Sequence, residues 1–312
     1  MLPGLGDLLC AVPALQGLRA ARPDASITLI GRGSSRWFAH RYSALIDDWL
    51  GCDWCPGLVE STDDPAALDA FLDTARQRSF DLAIQMHGDG RATNAFTASL
   101  GASRWGGLSR APTSGGSTAL IDDAAHEVDR CVEAVRAAQI DITPGPGGFP
   151  VEPTDRLPVG VGEGPFAVVH AGASRPDRRW PAEWFSAVAA LLAARIGCVA
   201  LTGGRYERSL TALVRDGLDA GARRRVVDLA GQTRLGTLAA LLTRSTLVVA
   251  NDTGVAHLAA AVGAPTVTIF GGPHRRRWEP RGRWTVGVGV DGAWPPVDDV
   301  LTAVDTVLGV PC

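Results

Sequence analysis

The stretch Leu247–Gly272, LVVANDTGVAHLAAAVGAPTVTIFGG, decides the fold class. An apolar run, Leu247–Ala250, stops at Asn251-Asp252-Thr253-Gly254. An Ala-rich helical pattern follows to Val262, where Gly263 and Pro265 break it. A second β-branched run, Thr266–Phe270, ends in Gly271-Gly272. Strand, helix and strand in that order make a parallel crossover unit. The polar tetrapeptide falls at the carboxyl end of the first strand and the amino end of the helix, where open α/β sheets bind ligands.

The same alternation extends outward in both directions. Downstream of Gly164 it predicts strands at Phe166–His170, Cys198–Thr202 and Arg225–Leu229. Helices are expected at Pro181–Ile196, Leu235–Leu242 and Asp298–Leu308. Upstream it predicts helices at Ala11–Ala21, Pro65–Arg78 and Ala124–Ala138, with extended runs at Ser26–Ile30 and Asp81–Gln85. Residues 142–164 are rich in Pro and Gly and read as a linker. Two doubly wound α/β domains facing a cleft are the expected architecture. The opening MLPGLGDLLCAVPAL places a Gly-containing loop directly before a helix, without the β-branched strand expected in front. That strand is supplied differently, or the start lies inside a longer reading frame.

Composition narrows the function classes. The chain has 312 residues, 46% of them hydrophobic, and a net charge of -3. This gives no electrostatic case for nucleic acid. All 30 basic residues are Arg, so any phosphate-binding side-chain cation here is Arg. A Walker lysine is thereby excluded, and GLGDLL lacks the third Gly of a dinucleotide fingerprint. Six scattered cysteines, with Cys52 and Cys55 in a lone C-x-x-C, fit reduced thiols and no metal. No run approaches the roughly 20 apolar residues of a membrane span, and the start lacks a basic n-region. A soluble, cytoplasmic protein is expected, with peripheral membrane contact left open.

Three post-strand loops of the second half carry candidate chemistry. In the first, Thr253 and Gly254 bring hydroxyl and backbone N–H groups close to an anion at a helix start, with His257 one turn on. Asp252 either caps that helix or binds a sugar hydroxyl. In HAGASRPDRRWPAEWF, Gly172 and Ser174 permit close approach and Arg178 offers a fork to a diphosphate; a solvated basic loop with Trp180 packed over it is the alternative. In LTGGRYER, Gly203 precedes Glu207, placed either to bind ribose hydroxyls or simply to start a helix. In the first half, Gly6-Asp7 opens a helix, where Asp7 serves as a general base or as a cap. QMHGDGRATN offers His87, Asp89, Arg91 and Asn94 as acceptor contacts. The run HRRRWEPRGRW, 274–284, reads as a solvated loop.

Taken in order, GLGDLLCAVPALQGLRAARPDASITLI, HAGASRPDRRWPAEWF, LTGGRYER, VVDLAGQTRLGTLAALL and NDTGVAHLAAAVGAPTVTIFGG resemble glycosyltransferase family 9, the ADP-heptose:lipopolysaccharide heptosyltransferases and relatives. The resemblance implies a GT-B fold of two Rossmann-like domains. An acceptor domain would occupy residues 1–155 and a nucleotide-sugar domain 156–296, with a helix at 297–312 crossing back to the first. It implies inverting, metal-independent transfer from an ADP-sugar to a glycoconjugate or small-molecule acceptor. No cofactor is implied, the ADP-sugar being a substrate. Asp7 matches the position of the base; Asp252, Thr253, Gly254 and His257 match the diphosphate-sugar loop. Glu207 matches an acidic position near the ribose, and Arg178 stands where the family often has Lys. A GT-B nucleotide-sugar epimerase and a non-catalytic nucleotide-binding module are the competing readings.

Overall fold

The computed structural model describes residues 4–54, 64–162 and 164–309; Cys55, Cys312 and Met1–Pro3 lie outside them. The chain divides into two compact units, Met1–Gly147 and Gly148–Cys312. The division falls inside the expected linker, ahead of the expected boundary at 155/156.

The second unit is built on a six-stranded parallel sheet. Its elements are β6 (Phe166–His170), α6 (Ala182–Arg195), β7 (Cys198–Leu201), α7 (Arg208–Asp216), α8 (Ala220–Arg223) and β8 (Val226–Asp228). They continue with α9 (Leu235–Arg244), β9 (Leu247–Asn251), α10 (Gly254–Ala261), β10 (Thr266–Ile269), α11 (Arg275–Trp278), β11 (Thr285–Val288) and α12 (Val297–Leu308). The strand order is β11-β10-β9-β6-β7-β8. The chain therefore winds one way from β6 to β8, then returns to β9 and winds the other way. The reversal lies between β6 and β9, which pair Val168 with Val248 and Val169 with Val249. Both strands are buried along their whole length, as the central strands of a sheet covered on both faces must be. Their near-continuous apolar sequences follow from that. Helix α12 packs Val300, Ala303 and Val304 into this same core, beside Leu192, Val267 and Ile269.

The first unit contains α1 (Leu5–Ala21), β1 (Thr28–Gly31), α2 (Arg36–Arg41), β2 (Asp48–Gly51), α3 (Pro65–Gln77) and β3 (Leu82–Gln85). Then come α4 (Thr93–Ser99), β4 (Arg104–Ser109), β5 (Ser117–Leu120) and α5 (Glu127–Ala137). Its strands form two parallel sheets, β1-β2 and β3-β4-β5. Helix α1 begins six residues before the expected Ala11 and runs through Pro13. The carbonyl of Pro13 accepts from the Gly145 N–H at 2.9 Å. Strand β4 escaped the periodicity because it carries Gly106-Gly107. A Cβ on Gly106 would stand 2.5 Å from the Ala138 Cα, so the glycine is required by the close passage of the α5 end. Cys52 is disulfide-bonded, which corrects the expectation of reduced thiols there. Cys10, Cys131 and Cys198 are free.

Candidate active site

The three loops singled out in the second unit follow β9, β6 and β7, which are neighbours in the sheet. All strands run parallel, so these loops emerge side by side at one carboxyl edge, with the topological reversal between the first two. That is where doubly wound sheets bind ligands.

Asn251, fully buried at the end of β9, holds the edge together. Its Nδ2 donates to the carbonyls of Ala171 at 2.7 Å and Gly172 at 3.4 Å, and its Oδ1 accepts from the Trp180 N–H at 3.1 Å. Its importance was not read from the sequence; the available signal was one amide ending an otherwise apolar strand. Trp180 is buried as well, its indole N–H donating to the Pro295 carbonyl at 3.0 Å. Pro181 does not play the local role expected of it. Pro181 is the residue before α6 rather than in its first turn.

The cap of α10 is Thr253, in an extended backbone conformation, with Oγ1 accepting from the Val255 N–H at 3.2 Å. This satisfies one of the unpaired N–H groups of the first turn and leaves Asp252 out of the capping. Its carboxyl is pushed up to about 6 by burial, with the Arg178 guanidinium pulling the other way. Arg178 and Ser174 are exposed. His257 is buried, its ring edge-on to Trp278 with centroids 6.4 Å apart.

Glu207 folds back across the edge. Its Oε2 accepts from the Gly204 N–H at 2.7 Å, and its Oε1 lies 3.9 Å from Arg179 Nη2. The carboxylate occupies the space over Gly172, where a Cβ would stand 2.3 Å from Oε1. Gly203 is half-buried beneath it, its carbonyl accepting from the Gly231 N–H at 2.8 Å. Buried His170 bonds through Nδ1 to Thr202 Oγ1 at 3.1 Å. Burial pushes its pKa down, while the nearby Glu207 charge opposes that shift. The run at 274–284 is not simply solvated, contrary to expectation: Arg275 bonds Glu279 at 3.0 Å and the carbonyls of Gly289 and Gly287 at 2.7 and 2.5 Å.

In the first unit, Asp7 sits in the first turn of α1 just after Gly6, and its Oδ2 accepts from the Gly4 N–H at 3.2 Å. Its Oδ1 lies 3.9 Å from His87 Nδ1, both side chains being 18% exposed. The structure thus joins the loop after β3 to the start of α1. Asp89 is held by its own surroundings, accepting from the Arg91 N–H at 3.0 Å and lying 3.7 Å from Arg110 Nε. Asn94 is drawn inward. It is buried, with Nδ2 donating to the Leu108 carbonyl at 3.1 Å, because α4 turns it inward beneath Gly90. Gln85, not singled out beforehand, completes that lining: it donates to Thr93 Oγ1 at 2.9 Å and accepts from the Leu108 N–H at 3.2 Å. Among the described residues, no group of three or more His, Cys, Asp or Glu is placed to hold a metal. No helix among them is long and apolar enough to cross a membrane.

Comparison with known proteins places this geometry. Lipooligosaccharide heptosyltransferase 2 of Haemophilus influenzae is 34% identical over 112 residues, covering 36% of this chain and 32% of that protein. The matched region is thus about a third of the relative's length. Among solved structures, a family 9 glycosyl transferase from Veillonella parvula superposes with a TM-score of 0.79 at 18% identity, covering 100% of this chain and 96% of that one. The ADP-heptose LPS heptosyltransferase II of E. coli gives 0.74 at 18% identity, covering 98% and 96%. These likenesses are of fold, and with them the two α/β units are the Rossmann-like halves of a GT-B protein. The profile of glycosyltransferase family 9 (heptosyltransferase) matches residues 70–296, from α3 of the first unit to the approach to α12 of the second, and the chain belongs to that family.

Proposed function

We propose that the protein transfers heptose from ADP-heptose to a hydroxyl of a glycoconjugate acceptor, by inverting displacement and without a metal. The observation that carries this reading is the delivery of Asp252–Gly254, Gly172–Arg178 and Gly203–Glu207 to one sheet edge by three adjacent strands. The N-terminus of α10 supplies unpaired N–H groups and a partial positive charge to the diphosphate, worth roughly 0.3–2 kcal/mol. Arg178 adds a guanidinium fork. Glu207, already turned toward the edge, accepts from ribose hydroxyls. Asp252 and His257 face the sugar side of the diphosphate.

In the first unit, Asp7 removes the proton of the acceptor hydroxyl as that oxygen attacks the anomeric carbon. The bond from that carbon to the diphosphate breaks, and ADP departs with the electron pair. His87 and Asp89 line the acceptor side. Membrane-linked acceptors would bring the protein to a membrane surface, and a cytoplasmic location fits a donor made from ATP-derived nucleotide.

The test is turnover with ADP-heptose and lipopolysaccharide inner-core acceptors, scoring both ADP release and acceptor mass. Acceptor-dependent ADP release with a heptosylated product supports the reading. ADP-heptose converted or hydrolysed with the acceptor unchanged overturns it.

A further inference from the structure

The first unit buries a pair of charges where α5 packs against α1. The two helices run the same way. Cys131 of α5 lies within electrostatic reach of Cys10 of α1. Further along, the Gly145 N–H, beyond the end of α5, donates to the Pro13 carbonyl at 2.9 Å. A Cβ on Gly17 would stand 2.6 Å from the Thr143 carbonyl oxygen. Asp7 comes about one turn before Cys10, and Glu127 about one turn before Cys131, so each shares a helix face with its cysteine. In parallel helices that sets the two carboxylates across from each other. The Cys131 thiol registers both: burial raises its pKa most, and the charges of Glu127, Cys10 and Asp7 add to the rise.

Glu127 and Arg130 are only 3% and 5% exposed, and meet at 3.5 Å between Oε2 and Nε. Taking two charges out of water costs about as much as their attraction returns, so stability alone does not account for the pair. One carboxylate engages at most two of the five N–H donors of a guanidinium. The other cations at hand are imidazoles. His126 caps α5 with Nδ1 accepting from the Val128 N–H at 3.1 Å, and an imidazole that accepts is neutral. His87, in the loop after β3, stands 3.9 Å from Asp7, and a histidine is charged only in mild acid. Of these three, Arg130 keeps its charge at every working pH.

We infer that Arg130 is a positioning residue for Asp7: its buried guanidinium stands between the Glu127 and Asp7 carboxylates and holds the second ionised at the start of α1. Two carboxylates brought together do not both ionise readily, and a cation between them lets both do so. The titratable groups about Asp7 are then His87, Cys10 of its own helix, and Glu127, Arg130 and Cys131 of α5. The value of this to catalysis rests on Asp7 being the base of the proposed transfer, whereas the electrostatic assignment does not, and the two are measured separately.

Carboxyl carbon NMR of the full chain reads the titration of Asp7, its signal assigned by its loss in Asp7→Asn. Glu127→Gln is compared with Glu127→Gln/Arg130→Met, which removes both charges and so leaves no buried ion without a partner. Asp7 should titrate about one pH unit higher or more in the double variant. Arg130→Lys in the same Glu127→Gln background keeps the charge and should bring the titration back down. Turnover should follow, the acid limb of kcat moving up by the same interval while the donor KM stays put. Asp7 titrating alike with and without Arg130 overturns the inference. A titration that moves while turnover ignores it upholds the inference and removes Asp7 from the role of base.

Discussion

The Glu207 carboxylate lies over the Cα of Gly172, so close that a methyl group on that residue would stand 2.3 Å from Oε1 and 2.4 Å from Oε2. A glycine in the loop after one strand thereby sets the position of an acidic side chain from the loop after its neighbour. Gly172→Ala should displace Glu207 from Gly204 and weaken ADP binding about tenfold or more. Calorimetry with ADP, alongside Glu207→Gln, checks it. An alanine variant that binds ADP as the parent does would show that Glu207 is not positioned from below.

Asn251→Ala should be the most damaging single change at the edge. It leaves the buried N–H of Trp180 and the carbonyl of Ala171 without their partner, and removing one side of a buried hydrogen-bond set costs about 2–4 kcal/mol. Asn251→Asp keeps the acceptor for Trp180 but turns a donor toward two carbonyls into a second acceptor, so it should not rescue. Denaturant unfolding of both variants measures this.

Asp252 gives the stability a pH signature. Its folded pKa, about 6, stands above the ordinary 3.8, so the native state holds the proton more tightly than the unfolded chain. Below about pH 4 both states are protonated and nothing is lost. Stability then falls as pH rises from about 4 to 6, and the loss is complete above that. Asp252→Asn should remove this slope and be more stable than the parent at pH 8, by on the order of 1–3 kcal/mol. Thermal melts across pH 4–8 on both proteins decide it.

Arg178→Ala should weaken ADP binding severalfold, because its field already reaches Asp252 at the edge. Arg276→Ala, next to the Arg275 that bonds Glu279 and the Gly287 carbonyl, should leave affinity unchanged. Equal losses would relocate the phosphate contact.

Asp7→Asn should reduce turnover by roughly 10²–10⁴-fold while donor affinity stays close to the parent's. Asn retains the acceptor for the Gly4 N–H and caps about as well as Asp, so folding should survive. Turnover within threefold of the parent would leave Asp7 a helix-start residue and nothing more.

The second unit was legible because its strands are runs of Val, Ile, Leu and Ala bounded by Gly or polar residues, as at Leu247–Asn251 and Cys198–Leu201. Strands β2 and β4 were not, since DWLG and RWGGLS owe their conformation to what packs over their glycines. The site followed the same division. Thr253, Gly172 and Glu207 stand out by their place after strands. Asn251 does not, because its partners are 71 and 80 positions away and exist only once β6 and β9 are paired. The inward turn of Asn94 was equally hidden: it is a polar residue in a polar loop sequence, drawn in by a helix too short to display periodicity.

The reversal of winding between β6 and β9 also sets how the second unit is assembled in time. Ala167 pairs with Leu247 across that seam, whereas Ala167 and Val199, or Val249 and Val267, pair across a single crossover. Loop-closure entropy makes the most distant pairing the slowest to form, so β6-β7-β8 and β9-β10-β11 can each organise locally before the seam closes. Asn251, whose bonds span it, then locks a late event: its replacement should accelerate unfolding far more than it retards refolding.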